Sequence, residues 1–103
     1  MTTSISDLIA EVDIPREGTL SRVVHKDDRV RLVVFAFDTD QELTEHRSAS
    51  AAIVQVPQGR IDFTVAGETH ELTPSSWMFM DPDESHSLIA REPSILLLTL
   101  LKN

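Results

Sequence analysis

The segment MDPDESHSLIA, residues 80–90, carries the most informative reactive side chain of this sequence. His86 follows a polar, turn-forming run and leads into an apolar, strand-like stretch, so an imidazole stands at the mouth of a strand. A neutral imidazole placed there can ligate a transition metal or exchange a proton near neutral pH. His25, His46 and His70 are the other histidines, and the chain has no cysteine. Disulfides, thiolate zinc sites and cysteine nucleophiles therefore fall away together. Arg31, Arg47 and Arg60 are candidate clamps for an anion, against the plainer reading that each is a solvated surface residue. Ser75-Ser76 lacks the glycine elbow of a nucleophilic serine. No phosphate loop, EF-hand pattern or helical pair of histidines four apart occurs.

Those residues need a scaffold, and composition bounds it. The 103 residues, 41% apolar, suffice for one hydrophobic core and read as a single domain, 1–103. Residues 1–18 form an N-terminal arm and roughly 19–101 the core. Seventeen acidic against nine basic side chains leave a formal net charge of −8. That balance argues against nucleic acid and against anionic lipid as partners. No run of about eighteen apolar residues exists, and MTTSISDLIAEVDIP lacks a basic start and an apolar core, so the expected location is cytoplasmic.

Within the arm, SISDLIAEVDIP predicts one or two helical turns capped by the serine before Asp7 and stopped by Pro15. Everything after Gly18 reads as strand. RLVVFAFD (31–38) is a continuous apolar run dense in β-formers, the mark of a buried strand. In RIDFTVAGETHEL (60–72), Ile61, Phe63 and Val65 alternate with polar neighbours, and Ala66-Gly67 supplies a two-residue hairpin turn. SWMFM (76–80) and SLIA (87–90) are short strands flanking the DPDES loop, and SILLLTLLK (94–102) is a strand rather than a helix. Seven or eight short strands with one short helix or extended arm describe an all-β sandwich or barrel.

At this point a resemblance comes into view. Glu45-His46, the VPQG of residues 56–59, the VAGE hairpin and PSSWMFMDPDESHSL are similar to a small single-domain cupin, over about residues 30–101. The resemblance implies a double-stranded β-helix, or jelly-roll, barrel that is commonly a homodimer. It also implies three histidines and a glutamate binding a divalent metal inside the barrel. Gly59 ends the first family motif, and His46 stands thirteen residues before it, at the first histidine position. Ser48 occupies the second histidine position and Ala52 the glutamate position. In the second motif His86 is in place, followed by Ser87-Leu88. Ser75, Asp81, Asp83 and Ala90 stand where glycine, proline, glycine and asparagine are usual. Half of the metal quartet is thus replaced.

In such a barrel alternate side chains line the interior. His46, Ser48, Ala52, Val54 and Val56 share parity, implying an interior polar at its mouth and dry at its base. With His86 pointing inward from the second motif, two imidazoles converge across a hollow between the sheets. Met78 and Met80 would face that hollow, leaving Trp77 and Phe79 for a second apolar surface, a homodimer interface through a sheet face; the alternative is that all four are core. The expected ligand pocket is His46, Ser48, Val54, Met78, Met80 and His86, with His46 and His86 as metal ligands. One divalent transition metal (zinc, iron, nickel, copper or manganese) and no metal at all are both open. Two functions follow: a module binding a small, partly apolar molecule, or a metal-dependent enzyme of oxygenase or isomerase type with an incomplete ligand set.

Overall fold

The structure is a computed structural model that describes residues 3–102. The arm holds one helical turn, α1 (Leu8–Glu11), which Asp7 caps by accepting from the amides of Ile9 and Ala10. The expected cap was Ser6. A carboxylate near the positive N-terminal end of a helix gains charge attraction as well as the hydrogen bond. Nine strands follow among the described residues: β1 (Thr19–Lys26), β2 (Val30–Phe37), β3 (Glu42–His46), β4 (Ala51–Gln58), β5 (Ile61–Val65), β6 (Glu68–Leu72), β7 (Trp77–Met80), β8 (His86–Ala90) and β9 (Ser94–Leu101). They form two antiparallel sheets, ordered β1-β2-β9-β4-β7 and β3-β8-β5-β6. The architecture is the jelly-roll barrel that the strand pattern and the resemblance imply.

The two sheets close over a dry core. Phe37, Val54, Val56, Ile61, Phe63 and Leu96 are fully or almost fully buried in it, and Phe35, Leu43, Met78 and Leu98 pack against it. Alternation explains why these residues lie inside: in β5, Ile61 and Phe63 are buried while Asp62 and Thr64 are half-buried on the other face. A second cluster lies on the outer face of the five-stranded sheet, where Val12 of the arm covers Val34, Ala36 and Ile95. The continuous apolar runs of β2 and β9 follow from this, since both faces of those strands are covered.

The cross-strand register assigns the remaining outer residues. One row runs His25, Leu32, Thr99, Ile53 and Phe79 across β1, β2, β9, β4 and β7. Its neighbour runs Arg22, Val34, Leu97, Gln55 and Trp77. At the β7 end, beyond the arm, Trp77 is 66% and Phe79 48% exposed. Met78 and Met80 turn inward, Met80 into the core, so the four residues divide between the two faces and are not all core.

Gly59, at the β4–β5 turn, has φ +91°, and a Cβ there would lie 2.2 Å from Ser94 Oγ and 2.5 Å from the Pro93 carbonyl. Only glycine lets these backbones approach so closely. In the space kept free, Ser94 Oγ accepts from the Arg60 amide and donates to a backbone carbonyl, tying β9 to the turn.

Candidate functional site: a histidine pair at the barrel mouth

His46 ends β3 and His86 begins β8, and the two are cross-strand partners in the four-stranded sheet. The rings do not face one another across the hollow between the sheets, as the motif spacing suggested. They lie side by side on adjacent strands of one sheet, because β8 inserts between β3 and β5. Their Nε2 atoms are 2.9 Å apart and the rings meet edge-on, with centroids 4.1 Å apart. His86 shares its buried face with Leu88 and Ala90 and is only 6% exposed, while His46 is exposed at the rim. The register breaks between Leu43 and His46, and this irregularity lets the end of β3 turn its ring toward β8.

Both rings are anchored in the same way. His46 Nδ1 is 3.1 Å from the Thr44 carbonyl and His86 Nδ1 is 3.0 Å from the Glu84 carbonyl. A carbonyl only accepts, so each Nδ1 carries the hydrogen, which is the single N–H of a neutral imidazole. The two Nε2 lone pairs then face each other, and their contact is attractive only when a proton or a metal ion lies between them. Burial pushes the His86 pKa below its usual value, partly opposed by the hydrogen bond to Glu84, and the neighbouring His46 adds to the fall. Desolvation thus favours a neutral ring with its lone pair free.

Phe63 completes the inner wall, stacked on His86 with centroids 5.7 Å apart and planes 13° from parallel. Sequence reasoning missed this role, although the inward parity of Ile61, Phe63 and Val65 held the signal. Val65 is the cross-strand partner of His86 on its other side.

The fold family implies a metal, and the donor set tests it. Two nitrogens 2.9 Å apart can both lie about 2.0–2.1 Å from one ion. Nδ1–H bonds to backbone carbonyls are also how ligating imidazoles are held. Yet Ser48 and Ala52 replace the other two ligands, and among the described residues no group of three His, Cys, Asp or Glu side chains is placed to hold an ion. The residues fit two positions of a coordination sphere and not the four of the family. His25 and His70 do not join them. His25, on the far edge strand β1, bonds to Asp27 in the β1–β2 turn, and His70 sits exposed on the edge strand β6.

The other expected pocket residues divide. Ser48 lies in the β3–β4 loop, where its hydroxyl accepts from the Ser50 amide and its carbonyl from the Asp83 amide. Val54 and Met80 are sealed in the core. Met78, paired with Val54, lines a groove of about 530 Å³ between the edge strands β6 and β7. Val65 and Glu84, which also line this groove, are respectively the strand partner of His86 and the residue whose carbonyl holds its ring. Leu72, Trp77 and Phe79 supply the apolar wall, and Glu68, His70 and Glu71 the polar one. The DPDES loop forms the rim, with Asp81 N–H donating to Glu84 and the Arg47 guanidinium donating to the Asp83 carbonyl. Of the candidate clamps, Arg47 braces that loop and Arg60 pairs with Glu71 and Glu92.

Comparison with known proteins agrees with this geometry. Residues 31–96 match the family described as the AraC-like ligand-binding domain. No curated protein matches the chain. Among solved structures, a conserved protein of unknown function from Streptococcus pyogenes, SPY1581, is 28% identical with a TM-score of 0.87, covering 100% of this chain and 90% of that one. A cupin superfamily protein from Desulfitobacterium hafniense is 16% identical with a TM-score of 0.86, covering 100% and 95%. KdgF from Halomonas sp. is 22% identical with a TM-score of 0.80, covering 92% of each chain. The barrel, the two surviving histidine positions and the family match lead to one statement: this chain belongs to the AraC-like ligand-binding domain family and is a small cupin.

Proposed function

We propose that this cupin binds a small, partly apolar molecule in the groove beside His86, with the imidazole pair as its polar anchor. The observation that carries the reading is the pair itself. Two Nε2 atoms meet 2.9 Å apart while both Nδ1 atoms are committed to backbone carbonyls, next to a groove walled by Met78, Trp77 and Phe79. A ligand hydroxyl donates to an Nε2 lone pair, and its apolar part fills the groove.

The facing lone pairs favour a second reading, in which His46 and His86 hold a divalent transition metal. Such an ion would supply Lewis acidity at the barrel mouth, with ligand or water completing its sphere. Elemental analysis of protein purified without chelator or affinity resin separates the two. The binding reading expects well under one metal per chain, and ligand binding that survives chelator treatment. Near one metal per chain, lost in His86→Ala, would replace it with the metal-dependent reading.

We further propose that a second copy packs against the outer face at Trp77 and Phe79. Large aromatic side chains left this exposed on a sheet face need a partner, and a second copy would also wall the groove that both residues line.

A further inference from the structure

The register of the four-stranded sheet sets a row of side chains on its inner face. His46, His86, Val65 and Glu68 pair in succession across β3, β8, β5 and β6. Directly paired residues point to the same face. Glu68 therefore ends the row that the imidazole pair begins, and with Val65 it lines the groove between β6 and β7. Glu84 comes to the same end from the loop before β8. That loop is tied to the β5–β6 turn, where the Ala66 amide donates to the Ser85 carbonyl at 3.1 Å.

The charges on this groove have one sign. Glu68, Glu71 and Glu84 line it, and among the described residues no lysine or arginine does. Glu71 is committed to Arg60, 3.2 Å away. Glu68 and Glu84 have no ion pair among the described residues, and Glu84 uses only Oε1, which accepts from the Asp81 amide at 2.8 Å. The imidazole pair brings no donor of its own, because both Nδ1–H groups are taken by carbonyls. His86, 6% exposed, is left with an Nε2 lone pair that faces only another lone pair. Acceptors and uncompensated carboxylates beside the apolar Val65, Leu72 and Met78 select a molecule that is cationic at one end and apolar at the other. An anionic ligand would meet like charge there.

We propose that the ligand of this groove is a primary organic amine. Its ammonium lies between Glu68 and Glu84, and its hydrocarbon body runs along Val65, Leu72 and Met78. This rests on the reading that the groove is the ligand site, and it adds the ligand's charge. Titrating methyl-labelled full-length protein with hexylammonium, hexanol and hexanoate tests it, at about pH 8, where a histidine is ordinarily neutral and an alkylamine charged. Saturable shifts at the Val65, Leu72 and Met78 methyls are expected, with hexylammonium at least about tenfold tighter than hexanol and hexanoate weakest. Glu68→Gln and Glu84→Gln together should abolish that advantage and leave the affinity for hexanol unchanged. Glutamine at position 84 keeps an oxygen for the Asp81 amide and the carbonyl that holds His86, so the fold stays intact. Equal binding of hexylammonium and hexanol would overturn this inference alone and leave the groove as a ligand site. Absence of shifts at these methyls with all three probes would overturn both. Unchanged hexylammonium affinity in the double variant would also sink the proposal. So would tighter binding of a lysine-containing peptide than of hexylammonium, which would make a protein side chain the source of the ammonium.

Discussion

His46 and His86 owe their chemistry to two carbonyl groups as much as to their own ring nitrogens. Each ring is held by the carbonyl of the residue two positions earlier, Thr44 within β3 and Glu84 in the loop before β8, so the local backbone sets each tautomer. The pKa of His86 has a consequence for stability. Because burial holds it below its value in the unfolded chain, the unfolded state takes up the proton first as pH falls. Stability is therefore complete above the ordinary histidine value of about 6.5 and is lost as pH drops from there toward the folded value. In metal-free buffer, the Tm of the protein should fall as the pH drops below about 6.5, and the fall should be shallower in His86→Gln. Parallel curves for the two proteins would show that His86 is not the group responsible. His86 was readable from sequence because a polar turn preceded an apolar strand. Phe63 was not, because its contact with His86 depends on which strand lies beside β5.

Turns decide where the strands can come together. Gly59 and Gly67 both have positive φ, yet their surroundings differ: a Cβ at Gly59 would collide with Ser94 and the Pro93 carbonyl, whereas nothing lies within 4 Å at Gly67. Gly67→Ala should thus cost only the backbone strain, about 1 kcal/mol. Gly59→Ala must also push β9 away from the turn, so its Tm should fall by several times as much, or the protein should fail to fold. Thermal unfolding of the two variants checks this, and equal losses would refute the close approach at Gly59. The sequence displayed both glycines, and VPQG marked the first as a motif position. Its collision partner is thirty-five residues away and became visible only when β9 was placed.

For the whole molecule, the five-stranded sheet has a divided outer face. The arm covers Val34, Ala36 and Ile95, while Trp77 and Phe79 at the far edge stay exposed. If a second copy covers that edge, Trp77→Glu should convert the protein to monomer in native mass measurements. Monomer stability should change by no more than about 0.5 kcal/mol, since an exposed side chain contributes little to the core. An assembly state unaffected by Trp77→Glu would remove this face from consideration as the interface. The charge of −8 adds to the test, because salt that screens self-repulsion should strengthen association at this apolar edge.

The sequence by itself determined the periodicities. Alternation in β5, continuous apolar runs in β2 and β9, and the Ala66-Gly67 turn are local patterns set by side-chain size and backbone freedom, and they were enough for an all-β barrel. Local pattern also placed His86 at the mouth of a strand and turned Met78 and Met80 away from Trp77 and Phe79. Tertiary structure alone decided the sheet order, and the sheet order decided the site. β8 lies between β3 and β5, which makes His46 and His86 neighbours in one sheet and brings Phe63 onto the His86 ring. The pairing of β9 with β2 likewise returns Lys102 beside Arg29 at the β1–β2 hairpin. Pairings of such long sequence separation rest on how two sheets close over a shared core, and no local stretch of residues encodes that closure.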